Sequence, residues 1–227
     1  TRSAAGGRRC AGTRRARSAA HHLLHLHLAD HRFRQEVEQL DVKGQHLRRE
    51  FGGLAVERRR AFTLPGYASY ADVGLDGSWV TPYQIAAGSF SGPVLLTYNY
   101  LDEASARAER TRLREVGYLA EMPFNRVLDI ALAALRLRRS DLYVTHAFHL
   151  LARSRSETIP VSLLDASFDA IAVHEIGERR VIALGQQAAR LCRRHGIAHC
   201  AVPHLSARGQ SYAARAELLV SALRAVT

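Results

Sequence analysis

The stretch Cys200-Ala201-Val202-Pro203-His204-Leu205-Ser206-Ala207-Arg208-Gly209 joins a short apolar run to a polar loop, and a helix-favouring segment follows it. Cys200–Val202 fits a short apolar strand, and the loop behind it carries a histidine, a serine, an arginine and a glycine. Open α/β sheets place their ligand sites at the carboxyl ends of strands. This loop offers an imidazole for proton donation, a hydroxyl, and backbone N–H groups at a helix start suited to phosphate.

The same grammar repeats upstream. Val94-Leu95-Leu96 behind Pro93, Leu142-Tyr143-Val144, and Val181-Ile182-Ala183-Leu184 ended by Gly185 are three further short apolar runs. Between them lie helix-length segments. Residues 104–116 are charged and helix-favouring. Pro123 opens a stripe of Phe124, Val127, Leu128, Ala131, Leu132 and Leu135 with the spacing of a helix face. Residues 161–178 and 186–195 read as helices, the latter capped by Gly196. Tyr212, Ala216, Leu219, Val220 and Leu223 stripe a last one. Strands alternating with helices predict an α/β fold: a three-layer α/β/α arrangement around a short, four-stranded, mostly parallel sheet.

Composition bounds the rest. The chain has 227 residues, enough for one sizeable domain and short for two. Residues 61–227 are expected to form that domain, opening with loop-rich sequence over 61–92. Residues 1–60 are expected to be a basic, poorly structured segment, with a polar helix over 33–50 as its one candidate element. They hold 14 Lys/Arg against 6 Asp/Glu and so carry +8 of the +11 formal charge. The remainder is only mildly basic, so the overall charge is weak support for nucleic-acid binding. His21, His22, His25, His27 and His31 include i,i+4 pairs, but apart from Asp30 no ligand stands near to complete a zinc site. The three cysteines, Cys10, Cys192 and Cys200, form no CxxC pair and imply a reducing, cytoplasmic setting without disulfides. No run reaches the roughly 18 apolar residues of a membrane span, and residues 1–20 lack the apolar core of a secretory signal. GxGxxG, GxxxxGK[ST] and GxSxG are all missing.

Side by side, the four strands gather the loops Tyr98–Asp102, Thr145–His149, Gly185–Gln187 and Pro203–Gly209 at one edge. Glu121-Met122-Pro123-Phe124-Asn125 opens the helix between the first two strands beside the same cleft. The ordered set, over roughly residues 90–225, resembles the uracil-DNA glycosylase superfamily, in particular its iron–sulfur branch and relatives. Thr97-Tyr98-Asn99-Tyr100-Leu101-Asp102-Glu103 stands where the family has its catalytic loop. Pro123-Phe124 matches a Pro-Phe pair whose ring stacks on a flipped base. Tyr143-Val144-Thr145-His146 matches a strand ending in a base-reading asparagine. Ala183-Leu184-Gly185 matches an ALG strand, and His204-Leu205-Ser206 a His-Pro-Ser loop. The chain departs from the family where Tyr98 and Leu101 replace glycine and proline, where His146 replaces asparagine, and where the proline between His204 and Ser206 is missing. The cluster-binding cysteines are absent, so no iron–sulfur cluster is expected.

The resemblance implies a DNA glycosylase acting in base excision repair on uracil or another deaminated base, with DNA as partner and no metal or organic cofactor. Phe124 would stack on the flipped base and His146 would read its edge, with Tyr98 and Tyr100 lining the cleft. His204 would stabilise the departing base, and either Asn99 or Asp102 would orient water. Ser206, Arg208 and Gly209 would hold phosphate. Each residue also has an ordinary reading. Asp102 suits a helix N-cap, Ser206 a cap of the last helix, Phe124 and His146 the core, and Arg208 a solvated surface. Two other functions fit the same cleft: a non-catalytic nucleic-acid-binding relative, and a small-molecule hydrolase or transferase.

Overall fold

The computed structural model describes residues 53–226; the histidine cluster, Cys10, the candidate helix over 33–50 and most of the basic segment lie outside them. A helix over residues 53–61 (α1) begins the description. Its Ala55 and Val56 are buried with Val80 and Ile171, and Arg59 donates to Asp76 and to the carbonyls of Gly77 and Trp79. The expected boundary at residue 61 therefore moves back into the basic segment. Amphipathic spacing hid in an arginine-rich stretch, where a buried Arg59, paired with Asp76, looks like one more surface charge.

Four strands follow, β1 (Val94–Asn99), β2 (Tyr143–Phe148), β3 (Val181–Leu184) and β4 (His199–Val202). All pair in parallel, in the order β2-β1-β3-β4. The architecture is α/β, with helices on both faces of one short parallel sheet, as the alternation of apolar runs and helical segments predicts. β1, β2 and β3 are largely buried on both faces and so read as continuous apolar runs, whereas β4 lies at the sheet edge with only Val202 buried.

The helices are α2 (Glu103–Ala108), α3 (Arg110–Val116), α4 (Pro123–Leu135), α5 (Val161–Ser167), α6 (Val173–Ile176), α7 (Gln186–Arg194) and α8 (Tyr212–Val226). The single helix expected over 104–116 is two, broken at Glu109, which leaves helical geometry between them. A π-helical turn, Phe168–Ala172, joins α5 to α6. On one face of the sheet, Leu95, Val144, Ile182, Leu184 and Val202 pack against Phe124, Val127, Leu128, Ala216, Leu219 and Leu223 of α4 and α8. On the other, Val94, Leu96, Tyr143, Val181 and Ala183 pack against Leu164, Phe168, Ile176, Ala188 and Leu191 of α5, the π turn, α6 and α7. Each fully buried Val, Leu, Ile or Phe side chain contributes roughly 1.5–3 kcal/mol.

The chain moves outward from β1 to β2, then crosses back to place β3 on the other side of β1. The reversal puts a topological switch point between the carboxyl ends of β1 and β3, the place where such sheets bind ligands. No helix among the described residues is long and apolar enough to cross a membrane.

Candidate functional site

Strand alternation decides which side chains can meet. Thr97 and Asn99 share a face with Leu95, and His146 shares one with Val144, so these polar groups continue the face covered by α4 and α8. β2 runs through Phe148, so Thr145–His149 is mostly strand rather than the loop that the sequence predicts. Pairing with β1 holds that extra length.

His146 is 3% exposed. Its Nδ1 lies 2.6 Å from the Oγ1 of its register partner Thr97. The rings of Tyr100 and Tyr83 lie 5.4 and 6.5 Å away. Burial holds the imidazole pKa well below the usual value, and the proximity of His149 and His204 pushes the same way. The ring is therefore neutral. Its Nε2 is buried and has no hydrogen-bond partner.

His204 follows β4. Gly185, at the end of β3, has φ +96°, and a Cβ there would sit 3.2 Å from the Cβ of His204. Glycine thus permits both the turn and the close approach of the histidine. The Nδ1 of His204 accepts from the backbone N–H of Ser206 at 3.2 Å. Burial, with Arg215 nearby, lowers its pKa. Because Nδ1 accepts, the neutral ring carries its proton on Nε2.

Phe124 sits in the first turn of α4 behind Pro123, which suits the first helical position. Its ring lies 5.7 Å from that of His204 and 6.0 Å, edge-on, from that of Tyr83. Tyr83 stacks on Tyr118, and the Arg139 guanidinium lies 4.0 Å from the Tyr118 ring centre. Asn125 anchors this platform by accepting from Tyr83 Oη and Arg139 and donating to the Leu119 carbonyl. His146 and Phe124 therefore flank Tyr83, and Phe124 meets His204 directly.

The remaining candidates divide. Asn99 ends β1, half-buried, and among the described residues its carboxamide has no hydrogen-bond partner. Asp102 caps α2, accepting from the N–H of Ser105 at 3.0 Å and its hydroxyl at 2.8 Å, one on each oxygen. Tyr100 lies beside His146 and donates to the Gly117 carbonyl at 2.8 Å. Tyr98 lies on the opposite face, its hydroxyl accepting from the N–H of Ile159 at 2.7 Å, so it does not join His146. Ser206, Arg208 and Gly209 stay in the loop. The last helix begins only at Tyr212, and Ser211 rather than Ser206 caps it through the N–H of Ala214. The serine immediately before the apolar stripe outcompetes the one five residues earlier.

A second buried cluster lies on the other face. Glu175 accepts from Tyr143 Oη at 2.7 Å, Thr145 Oγ1 at 2.6 Å and Gln84 Nε2 at 2.5 Å, and pairs with His149 Nε2 at 3.2 Å. Burial opposes its charge, but the bonds from His149, Thr145 and Tyr143 outweigh it and hold the carboxyl below its usual pKa. His149 belongs to this sealed network and not to the cleft. The signal was in the sequence: Glu175 falls on the apolar stripe of Phe168, Ile171, Ala172 and Ile176, where an acid must be paired. Thr97 and Tyr83 were given no role, the first read only as the opening residue of the loop segment Thr97–Glu103 and the second lying in loop-rich sequence.

Among the described residues, this edge gathers the buried neutral imidazole of His146, the neutral imidazole of His204, an Asn99 carboxamide without a hydrogen-bond partner and an aromatic platform. No group of three or more His, Cys, Asp or Glu among the described residues is placed to hold a metal ion. The chain matches no protein-family model and no curated protein.

Proposed function

We propose that the protein is a DNA glycosylase that hydrolyses the N-glycosidic bond of uracil or another deaminated base. The observation that supports this reading best is the convergence of His204, Phe124 and His146 on one sheet edge, with ring contacts of 5.7 Å between the first two. A base removed from its stack loses a few kcal/mol, which Phe124 would partly restore by stacking. His146 would hydrogen-bond the base edge.

As the bond from C1′ to the base nitrogen breaks, its electron pair leaves with the base. His204 Nε2–H would hydrogen-bond the developing anion. Asn99 is the group left to orient water, because the Asp102 carboxylate is engaged at both oxygens. The water oxygen bonds to C1′, and its released proton neutralises the base. Ser206 and Arg208, in the loop after β4, would contact flanking phosphates.

The test is alkali-revealed strand cleavage of oligonucleotides carrying one uracil, hypoxanthine or xanthine, with His204→Ala beside the wild type. Cleavage that disappears in the variant supports the glycosylase. The engaged Asp102 favours a second reading, a nucleic-acid-binding relative without catalysis. Salt-sensitive DNA binding with no cleavage would select it.

A further inference from the structure

A groove of about 250 Å³ runs between α5 and α7, on the sheet face opposite α4 and α8. Leu164 and Leu191 form its floor, and Val161 stands 58% exposed beside them. Arg190, Arg193 and Arg194 line the α7 side. Helical spacing puts these three on one side of α7, at i, i+3 and i+4, where like charges repel. Arg193 and Arg194, in the last turn, are favoured by the helix dipole; Arg190, in the middle, is not. Arg194 pairs with Asp165 of α5. Arg190 and Arg193 are exposed, and among the described residues neither guanidinium has a hydrogen-bond or ion-pair partner. Two unpaired cations therefore stand over an apolar floor.

We propose that this groove docks an acidic, amphipathic segment of a partner protein, with an apolar side chain seated on Val161, Leu164 and Leu191 and carboxylates on Arg190 and Arg193. The volume falls below the roughly 300–1,000 Å³ of pockets that enclose a small molecule, and it suits one anchoring side chain. A nucleic-acid backbone would meet the arginines but gain nothing from the apolar floor. A second copy of the chain, or its own residues 1–60, brings the wrong sign, since the chain carries +11 and that segment +8 of it. A guanidinium takes a carboxylate through two parallel N–H···O bonds, which orients the segment as well as attracting it. The proposal stands apart from the glycosylase reading, because none of these residues belongs to the site at the carboxyl edge of the sheet.

The test is fluorescence anisotropy with the full chain and a labelled helical peptide of about twelve residues, in which glutamates flank a stripe of leucines. Saturable binding is expected, weakened about tenfold by Arg190→Glu or Arg193→Glu. Arg224→Glu, an equal change of charge at an exposed position on α8, is expected to leave it within about twofold of the wild type. Val161→Asp is expected to weaken binding as much as Arg190→Glu, and so is replacing the peptide's leucines with serines. All four substitutions fall at exposed positions, and thermal midpoints close to the wild type show that binding rather than folding is being read. Binding that falls equally with Arg224→Glu, or that survives loss of the leucines, is general charge attraction and overturns the proposal. No binding overturns it as well. A single-stranded oligonucleotide held more tightly than the peptide, and released by Arg190→Glu, overturns the acidic segment in favour of nucleic acid. Strand cleavage is expected to be unchanged in Arg190→Glu, so failure of the docking proposal leaves the glycosylase reading standing.

Discussion

Thr97 Oγ1 and His146 Nδ1 lie 2.6 Å apart on adjacent parallel strands, as direct register partners. This bond uses one ring nitrogen and leaves the other, Nε2, buried without a partner. An unsatisfied buried polar group costs roughly 1–3 kcal/mol, whereas removing both partners of a bond for apolar groups of similar shape is nearly neutral or better. The Thr97→Val, His146→Leu double variant is therefore expected to be more stable than the wild type, by about 1–3 kcal/mol, while losing base binding. Urea denaturation read beside oligonucleotide cleavage checks both halves. A less stable double variant would show that Nε2 costs the fold nothing.

Gly185 is expected to tolerate no side chain. Its φ of +96° disfavours any L-residue, and an added Cβ would meet the Cβ of His204 at 3.2 Å. Gly185→Ala should lose about 1–3 kcal/mol of stability. It should also displace the His204 ring from Phe124. The thermal midpoint measures the first effect and the single-turnover rate the second.

Glu175 is expected to be the most sensitive polar position. Glu175→Ala would strip the acceptor from Tyr143, Thr145 and Gln84 and the partner from His149 at once. Breaking a buried pair in this way costs about 3–5 kcal/mol. Glu175→Gln keeps the shape but turns an amide donor toward other donors, and an intermediate loss is expected. Denaturation midpoints of the two proteins give the order, and equal midpoints would contradict it.

Stability should fall as the solution becomes acidic. His146 and His204 both titrate below 6.5 when folded, chiefly because burial disfavours the charged ring. Below pH 6.5 the unfolded chain binds protons that the folded chain refuses, so acid favours unfolding until the folded values are passed. Above pH 6.5 these two groups contribute their full effect. The thermal midpoint, followed from about pH 8 to about pH 5, should drop, and the drop should shrink in a His146→Gln, His204→Gln protein. An unchanged slope in that variant would assign the acid sensitivity elsewhere, with Glu175 acting only below about pH 4.5.

Residue order made legible the four strands, most of the helical segments between them and the edge where their loops collect, though not the break at Glu109 or the full length of β2. Strands buried on both faces must be apolar throughout, and amphipathic helices must repeat every three or four residues; both constraints act locally and leave a local trace. It also named Phe124, His146 and His204, which meet through one chain of ring contacts. Tertiary structure alone decided the rest. It put Tyr98 and His149 on the far face, because strand alternation assigns sides only once the strand ends are known. It engaged Asp102 with Ser105 and left the Asn99 carboxamide without a partner among the described residues. It brought Thr97 to His146 and Gly185 to His204, residues distant in sequence whose proximity depends on strand register and crossover. The partner of the His146 ring nitrogen lies on another strand, where residue order alone does not place it.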